Sequence, residues 1–137
     1  MAGTFHCSLV TPQRQVFDGE VTYASVPAWD GQVGIAPMRA PLLVKLGHGS
    51  LRLDAAQGAS RWFFIGGGFA QMVDNRLTLL TQEALPAEEL TRQQASAEFD
   101  RAMQQPARGD EEVEQKHVQV ERARAMVHLT EQVGNRA

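Results

Sequence analysis

The sequence predicts a mainly β fold with a helical tail: an N-terminal antiparallel β-sandwich over residues 1–85, then a two-helix antiparallel hairpin over 86–137. Three observations carry that prediction. Short β-prone runs recur every 8–12 residues or so, punctuated by Gly, Pro, Asp and Asn. At Leu85-Pro86 the composition changes, and Ala, Glu, Gln and Arg take over as they do in helices. Between them, residues 31–43 read Gly-Gln-Val-Gly-Ile-Ala-Pro-Met-Arg-Ala-Pro-Leu-Leu, with Pro37 and Pro41 each fixing φ and keeping the preceding residue out of the helical region. That stretch is expected to be extended and irregular, a corner where the chain crosses between sheets.

The bulk numbers bound the rest. A chain of 137 residues is one ordinary domain, or one with a small appendage, and 43% hydrophobic content is enough to build a core. A net charge of -3 argues against nucleic acid as a partner, which would require a clustered basic surface. Cys7 is the single cysteine, so no disulfide scaffold is expected. No apolar run approaches the roughly 20 residues needed to span a bilayer, and no targeting segment is evident. Direct membrane insertion is therefore not expected.

Residues 4–10 alternate Phe5, Cys7 and Leu9 against His6 and Ser8, a half-buried strand with Cys7 inside and His6 on the polar face. A turn at 11–14 leads to a brief strand at 15–17, and Asp18-Gly19 reads as a hairpin turn. Residues 20–27 form the next strand, and Trp29-Asp30-Gly31 turns into the corner. After it, 44–46 is a short strand ended by Gly47-His48-Gly49. Residues 50–55 alternate, Gln57-Gly58 turns, and the aromatic run 61–65 suits a strand buried on both faces. Gly66-Gly67-Gly68 continues into strand-like residues with no Lys and no helix start, so it reads as a bulge or a close backbone approach rather than a phosphate loop. Asp74-Asn75 makes the last hairpin turn, and 77–82 closes a set of about eight to ten strands. In the tail, a first helix is expected over 87–104, with Leu90, Ala95, Phe99, Ala102 and Met103 as its apolar stripe. A second is expected over 111–133, N-capped by Asp110, with Val113, Val120, Ala123, Met126, Val127 and Val133 inward.

No constellation carries catalysis. Asp18 and Glu20 flank a glycine and read as turn and edge residues. His117 and His128 lie too far apart on one helix to share a metal. There is no nucleophile elbow or phosphate loop, so no enzymatic activity, cofactor or metal is expected. From the residues alone the chain is an adaptor. One reading of such an adaptor is a ligand- or carbohydrate-binding sandwich using Trp29 and Trp62 as its aromatic platform.

Two blocks add a resemblance. Gly31-x-x-Gly34-Ile35-x-Pro37-x-x-Ala40-Pro41-Leu42-Leu43 resembles the signature of the epsilon subunits of F-type ATP synthases (delta in mitochondria). Phe64-Ile65-Gly66-Gly67-Gly68-Phe69 with Asn75 and 77–80 looks like the second signature of that family. The resemblance covers the chain and weakens after about residue 85. It departs at Arg39, where the family usually has histidine. It implies a non-catalytic rotor subunit of the central stalk, whose sandwich meets the gamma subunit and the c-ring. The helical hairpin of such a subunit can restrain ATP hydrolysis by contacting the alpha/beta catalytic subunits. It also implies a peripheral position on the cytoplasmic face of a bacterial inner membrane. Asp30, Gln32, Met38 and Arg39 are the candidate contacts to gamma or the c-ring, and Arg122 and Arg124 to the catalytic sector. Some relatives bind ATP through a motif resembling Ile/Leu-Asp-x-x-Arg-Ala. The matching positions here are Leu90, Thr91, Gln94 and Ala95, so both charged members are missing and no nucleotide site is expected. Arg92 is two residues away from the arginine position, about 200° around the helix.

Overall fold

The computed structural model describes residues 3–134. Among them lie seven strands, β1 (Phe5–Val10), β2 (Gln15–Ala28), β3 (Gly31–Ile35), β4 (Leu42–Ala55), β5 (Ser60–Val73), β6 (Arg76–Leu80) and β7 (Ala84–Pro86). A 3₁₀ turn at Ala87–Glu89 leads to helices α1 (Arg92–Gln104) and α2 (Gly109–Gly134). The fold class is the one the sequence predicts.

Hydrogen-bonded neighbours run β1-β6-β5-β4-β2-β3, and β1 also pairs with β2, so the sheet closes on itself; β7 attaches to β5. All pairings are antiparallel except β1–β6, which is parallel with His6 opposite Arg76. Three strands of 14 residues each make this closure possible, because each is long enough to bend and serve two or three neighbours. Two expected breaks are therefore absent. Asp18-Gly19 is not a turn: Gly19 pairs with Cys7 and β2 runs straight through. Nor does Gly47-His48-Gly49 end a strand. The backbone of Trp29 lies so close that a Cβ on Gly47 would stand 3.2 Å from its Cα, and one on Gly49 2.8 Å from Pro27. These glycines serve close packing inside a strand, not chain reversal.

The corner after β3 is irregular as expected, with Met38 at φ 63°. Asp74 and Asn75 both have positive φ (51° and 57°), the geometry of a tight two-residue hairpin. Gly68 has φ 111°, and a Cβ there would collide with the Leu80 carbonyl oxygen, which is the close approach the triple glycine implied.

Inside the closed sheet, Phe5, Leu9, Ile35, Leu53, Phe63 and Leu79 are among the fully or almost fully buried side chains of one continuous core. A second, smaller cluster lies outside it, where Phe64 meets Ala87, Ala95, Met126 and Leu129. The helices pack on each other, and α2 lies against β4 and β5. Helix α1 begins five residues later than expected, because Leu90 is extended and Thr91 caps at Arg92. Asp110 falls inside the first turn of α2 with Glu111 and Glu112, where carboxylates complement the helix dipole. Met103 and Val113, expected on the inner stripes, are about half exposed (48% and 54%), whereas Leu129, outside the expected stripe, is fully buried.

Candidate interaction surfaces

The corner presents Met38 and Arg39 outward. Met38 is 79% exposed, and its backbone N–H donates to Asn75 Oδ1 at 2.8 Å. Asn75 in turn donates from Nδ2 to the Thr4 carbonyl at 2.9 Å, so one side chain ties the corner to the β5–β6 turn and the start of β1. Among the described residues the Arg39 guanidinium reaches only the adjacent Ala40 carbonyl, at 3.4 Å, and stays exposed. Asp30 is exposed at the β2–β3 turn. It lies at the far end of β3 from the corner, on the order of 13 Å of extended chain away. Gln32 is turned to internal work: its amide donates to Ser25 Oγ at 2.8 Å and to the Ser50 carbonyl at 3.3 Å. Met38 and Arg39 thus form one candidate patch and Asp30 a separate one, while Gln32, itself exposed, ties β3 to β2 and β4.

Sequence reasoning missed a neighbouring surface. Leu43, Phe69 and Leu80 are 70%, 53% and 57% exposed. Phe69 sits directly opposite both Leu80 and Lys45, so these side chains share one face, and Leu43 is two residues from Lys45 on the same side. Val73 extends the strip at 36% exposure. An apolar strip on the outward face of a sheet is a contact surface in search of a partner. Its signal was present: β5 carries large apolar side chains on both alternations.

Elsewhere on β5 the hairpin covers Phe64. Arg122 Nε and Nη2 donate to Glu83 Oε1 and Oε2 at 2.8 and 2.7 Å, a two-pronged clasp between α2 and the β6–β7 connection. Glu83 holds the Arg122 proton more tightly than usual, against partial burial. With side chains 23% and 32% exposed, this pair belongs at the low end of the roughly 1.5–3 kcal/mol typical of charge-assisted bonds. A second polar tie runs from Ser50 Oγ to Gln132 Oε1 at 2.9 Å. Arg124 pairs with Glu121 at 3.0 Å one turn away and leans over the Phe99 ring. Beside the clasp, burial first and Arg122 second push the His48 imidazole below its ordinary range. Trp62 packs against the Phe64 cluster while Trp29 is exposed at the β2–β3 turn, so the two tryptophans occupy different settings.

The positions matching the nucleotide motif are occupied by local structure. Thr91 Oγ1 accepts from the Gln94 N–H and Gln94 Oε1 accepts from the Thr91 N–H, both at 3.1 Å, a reciprocal capping box. Ala95 is fully buried.

Elsewhere, Asp18 on the outer face of β2 accepts from Ser8 Oγ and lies 2.7 Å from His6 Nε2; these bonds hold its carboxyl below the usual range. Cys7, inside the sheet, has its thiol pushed up to about 12 by burial. Among the described residues no cluster of three His, Cys, Asp or Glu could hold a metal, and no helix is long and apolar enough to cross a membrane.

Comparison with known proteins places these features in a family context. Residues 4–87 match the family described as ATP synthase, Delta/Epsilon chain, beta-sandwich domain. The chain is similar to the ATP synthase epsilon chain of Rhodopirellula baltica, 35% identical over 93% of this chain and 98% of that one. It is 33% identical to the epsilon chain of Nitratidesulfovibrio vulgaris over 94% and 96% of the two chains. Among solved structures, a chain of the Euglena gracilis mitochondrial ATP synthase superposes with a TM-score of 0.79 at 20% identity, covering 90% of this chain and 79% of that one. A chain of the Tetrahymena thermophila mitochondrial central stalk and c-ring gives 0.68 at 17%, covering 91% and 95%.

Proposed function

The chain belongs to the ATP synthase delta/epsilon chain family, and from that membership we propose that it is a non-catalytic rotor subunit of an F-type ATP synthase. The single observation that carries this reading is the extent of the similarity: it runs through the sandwich and on into the hairpin at 35% identity over 93% of the chain. The sandwich holds the gamma subunit and rests on the c-ring, and so links catalysis to ion flow. The strip of Leu43, Phe69 and Leu80 beside Met38 and Arg39 is the surface for gamma, since apolar anchors with a charged rim suit a lasting protein contact. Asp30, exposed at the other end of β3, is a candidate for the c-ring. The hairpin is docked here and occupies Arg122 with Glu83. Released, it offers Arg122 and Arg124 to the alpha/beta subunits and restrains ATP hydrolysis. The assembly is peripheral to the cytoplasmic face of a bacterial inner membrane.

Co-expression with gamma tests this reading. The full chain should co-purify with gamma in a stable complex, and Leu43→Asp with Phe69→Asp should abolish it while the isolated chain stays folded. Absence of any gamma complex, with thermal stabilisation by a sugar instead, would favour a carbohydrate-binding sandwich.

A further inference from the structure

The clasp and His48 share one small space. Phe64 touches both: the Arg122 guanidinium carbon stands 5.9 Å from its ring centroid, and the His48 ring stacks on it at 6.5 Å and 23°. Gly66 leaves the gap between them open. A Cβ at that position would stand 3.1 Å from Glu83 Oε1 and 3.6 Å from His48 Cδ2, so carboxylate and imidazole face one another over bare backbone.

We propose that Glu83 is an exchangeable anchor: it grips Arg122 and keeps the hairpin docked while His48 is neutral, and it trades Arg122 for the His48 imidazolium on acidification, releasing the hairpin. The inference rests on the hairpin being the restraining element of the subunit and supplies its regulation.

His48 is faced by Glu83 from the β6–β7 connection and by Arg122 and Glu121 from α2. Arg52 of β4 and Arg124 and His128 of α2 line the same cleft, and Glu98 of α1 reaches Arg122 at 3.7 Å. In the docked form, burial and Arg122 outweigh the two carboxylates and keep His48 below its ordinary value of 6.5. When α2 lifts, its cover and its Arg122 leave together, while Glu83 stays behind without its cation. The released form then binds a proton more readily than the docked form does. A base whose ionisation is depressed by docking disfavours docking in acid. Docking is complete above the released-state ionisation point and weakens as pH falls through about 6.5 toward the lower docked-state value. His48 sits at the exposed rim of the interface, so protons reach it without prior opening.

The test uses the isolated full chain carrying Trp29→Phe, which leaves Trp62 beside the docked hairpin as the only tryptophan. Between pH 7.5 and 5.5 its emission should shift to the red as the docked-to-released ratio falls, by up to about tenfold per pH unit. Cys7 should stay unreactive to thiol reagents throughout, reporting an intact sandwich. His48→Gln should hold the hairpin docked across that range, His128→Gln should leave the transition in place, and Glu83→Gln or Arg122→Gln should release it at both ends. A flat wild-type titration, a transition that survives His48→Gln, or a Glu83→Gln and Arg122→Gln pair that stay docked would overturn the proposal. Gamma binding is read separately through Leu43 and Phe69, which these variants leave intact, so failure of one result leaves the other standing.

Discussion

Phe63 and Phe64 are consecutive on β5, both fully buried, and they face opposite ways. Phe63 lies inside the closed sheet, edge-on to Phe17 at 6.0 Å, in a core to which all seven strands contribute. Phe64 lies outside, under Met126 and Leu129, in a cluster whose other fully or nearly buried members are two alanines. Equal burial therefore hides unequal commitment. One face of the strand holds the sheet together, and the other holds the hairpin against it. Thin apolar contact plus a polar clasp is how a removable interface differs from a core.

The largest effect should come from cutting the two rings back. Phe63→Ala should cost the sandwich about 3–5 kcal/mol, read from its denaturant midpoint. Phe64→Ala should leave that midpoint nearly unmoved and instead raise hydrogen exchange along α2. Equal losses in the two variants would break the distinction.

Next in size is removal of the hairpin. We propose that residues 1–85 form a unit that folds without 86–137, because the closed sheet completes its own core. The truncated chain should keep its near-UV circular dichroism and unfold cooperatively, and a molten spectrum would contradict this.

A smaller effect is expected at the corner. Arg39→Glu should weaken association with gamma roughly tenfold, about 1.4 kcal/mol, without changing the stability of the free chain. Unchanged binding in a calorimetric titration would remove Arg39 from the interface.

The smallest expectation is zero. Thr91 and Gln94 are engaged with each other in the capping box rather than presenting charge. Calorimetry with Mg-ATP should give no micromolar binding, and a micromolar dissociation constant would sink the expectation.

The local parts of this molecule were legible in sequence, and the non-local parts were not. Alternation at Phe5, Cys7 and Leu9 and the Asp74-Asn75 turn are short-range signals, and each appears where expected. Gly19 and Gly47 misled because a glycine that admits a neighbouring backbone looks, one residue at a time, like a glycine that turns the chain. The clasp was invisible for a different reason. Glu83 and Arg122 are 39 residues apart, and nothing periodic links them. Arg122 was expected to face the catalytic sector, and the docked hairpin engages it internally first. Phe69 counts in sequence only as a member of the second signature and of a continuing strand, although its alternation with Ala70 and Met72 places a large ring on the outer face.

The parallel pairing of β1 with β6 also sets the order in which the chain can become itself. Asn75, which clamps the start of β1, lies 71 residues beyond its partner Thr4. At roughly 5–20 residues per second of synthesis, β1 waits several seconds on the ribosome with only β2 beside it. Closure of the ring is a late, long-range event, and contacts of that kind slow folding. The nascent chain therefore carries one unsealed seam until β6 emerges, and the residues that seal it lie just before the hairpin. The closed sheet is completed before its hairpin exists.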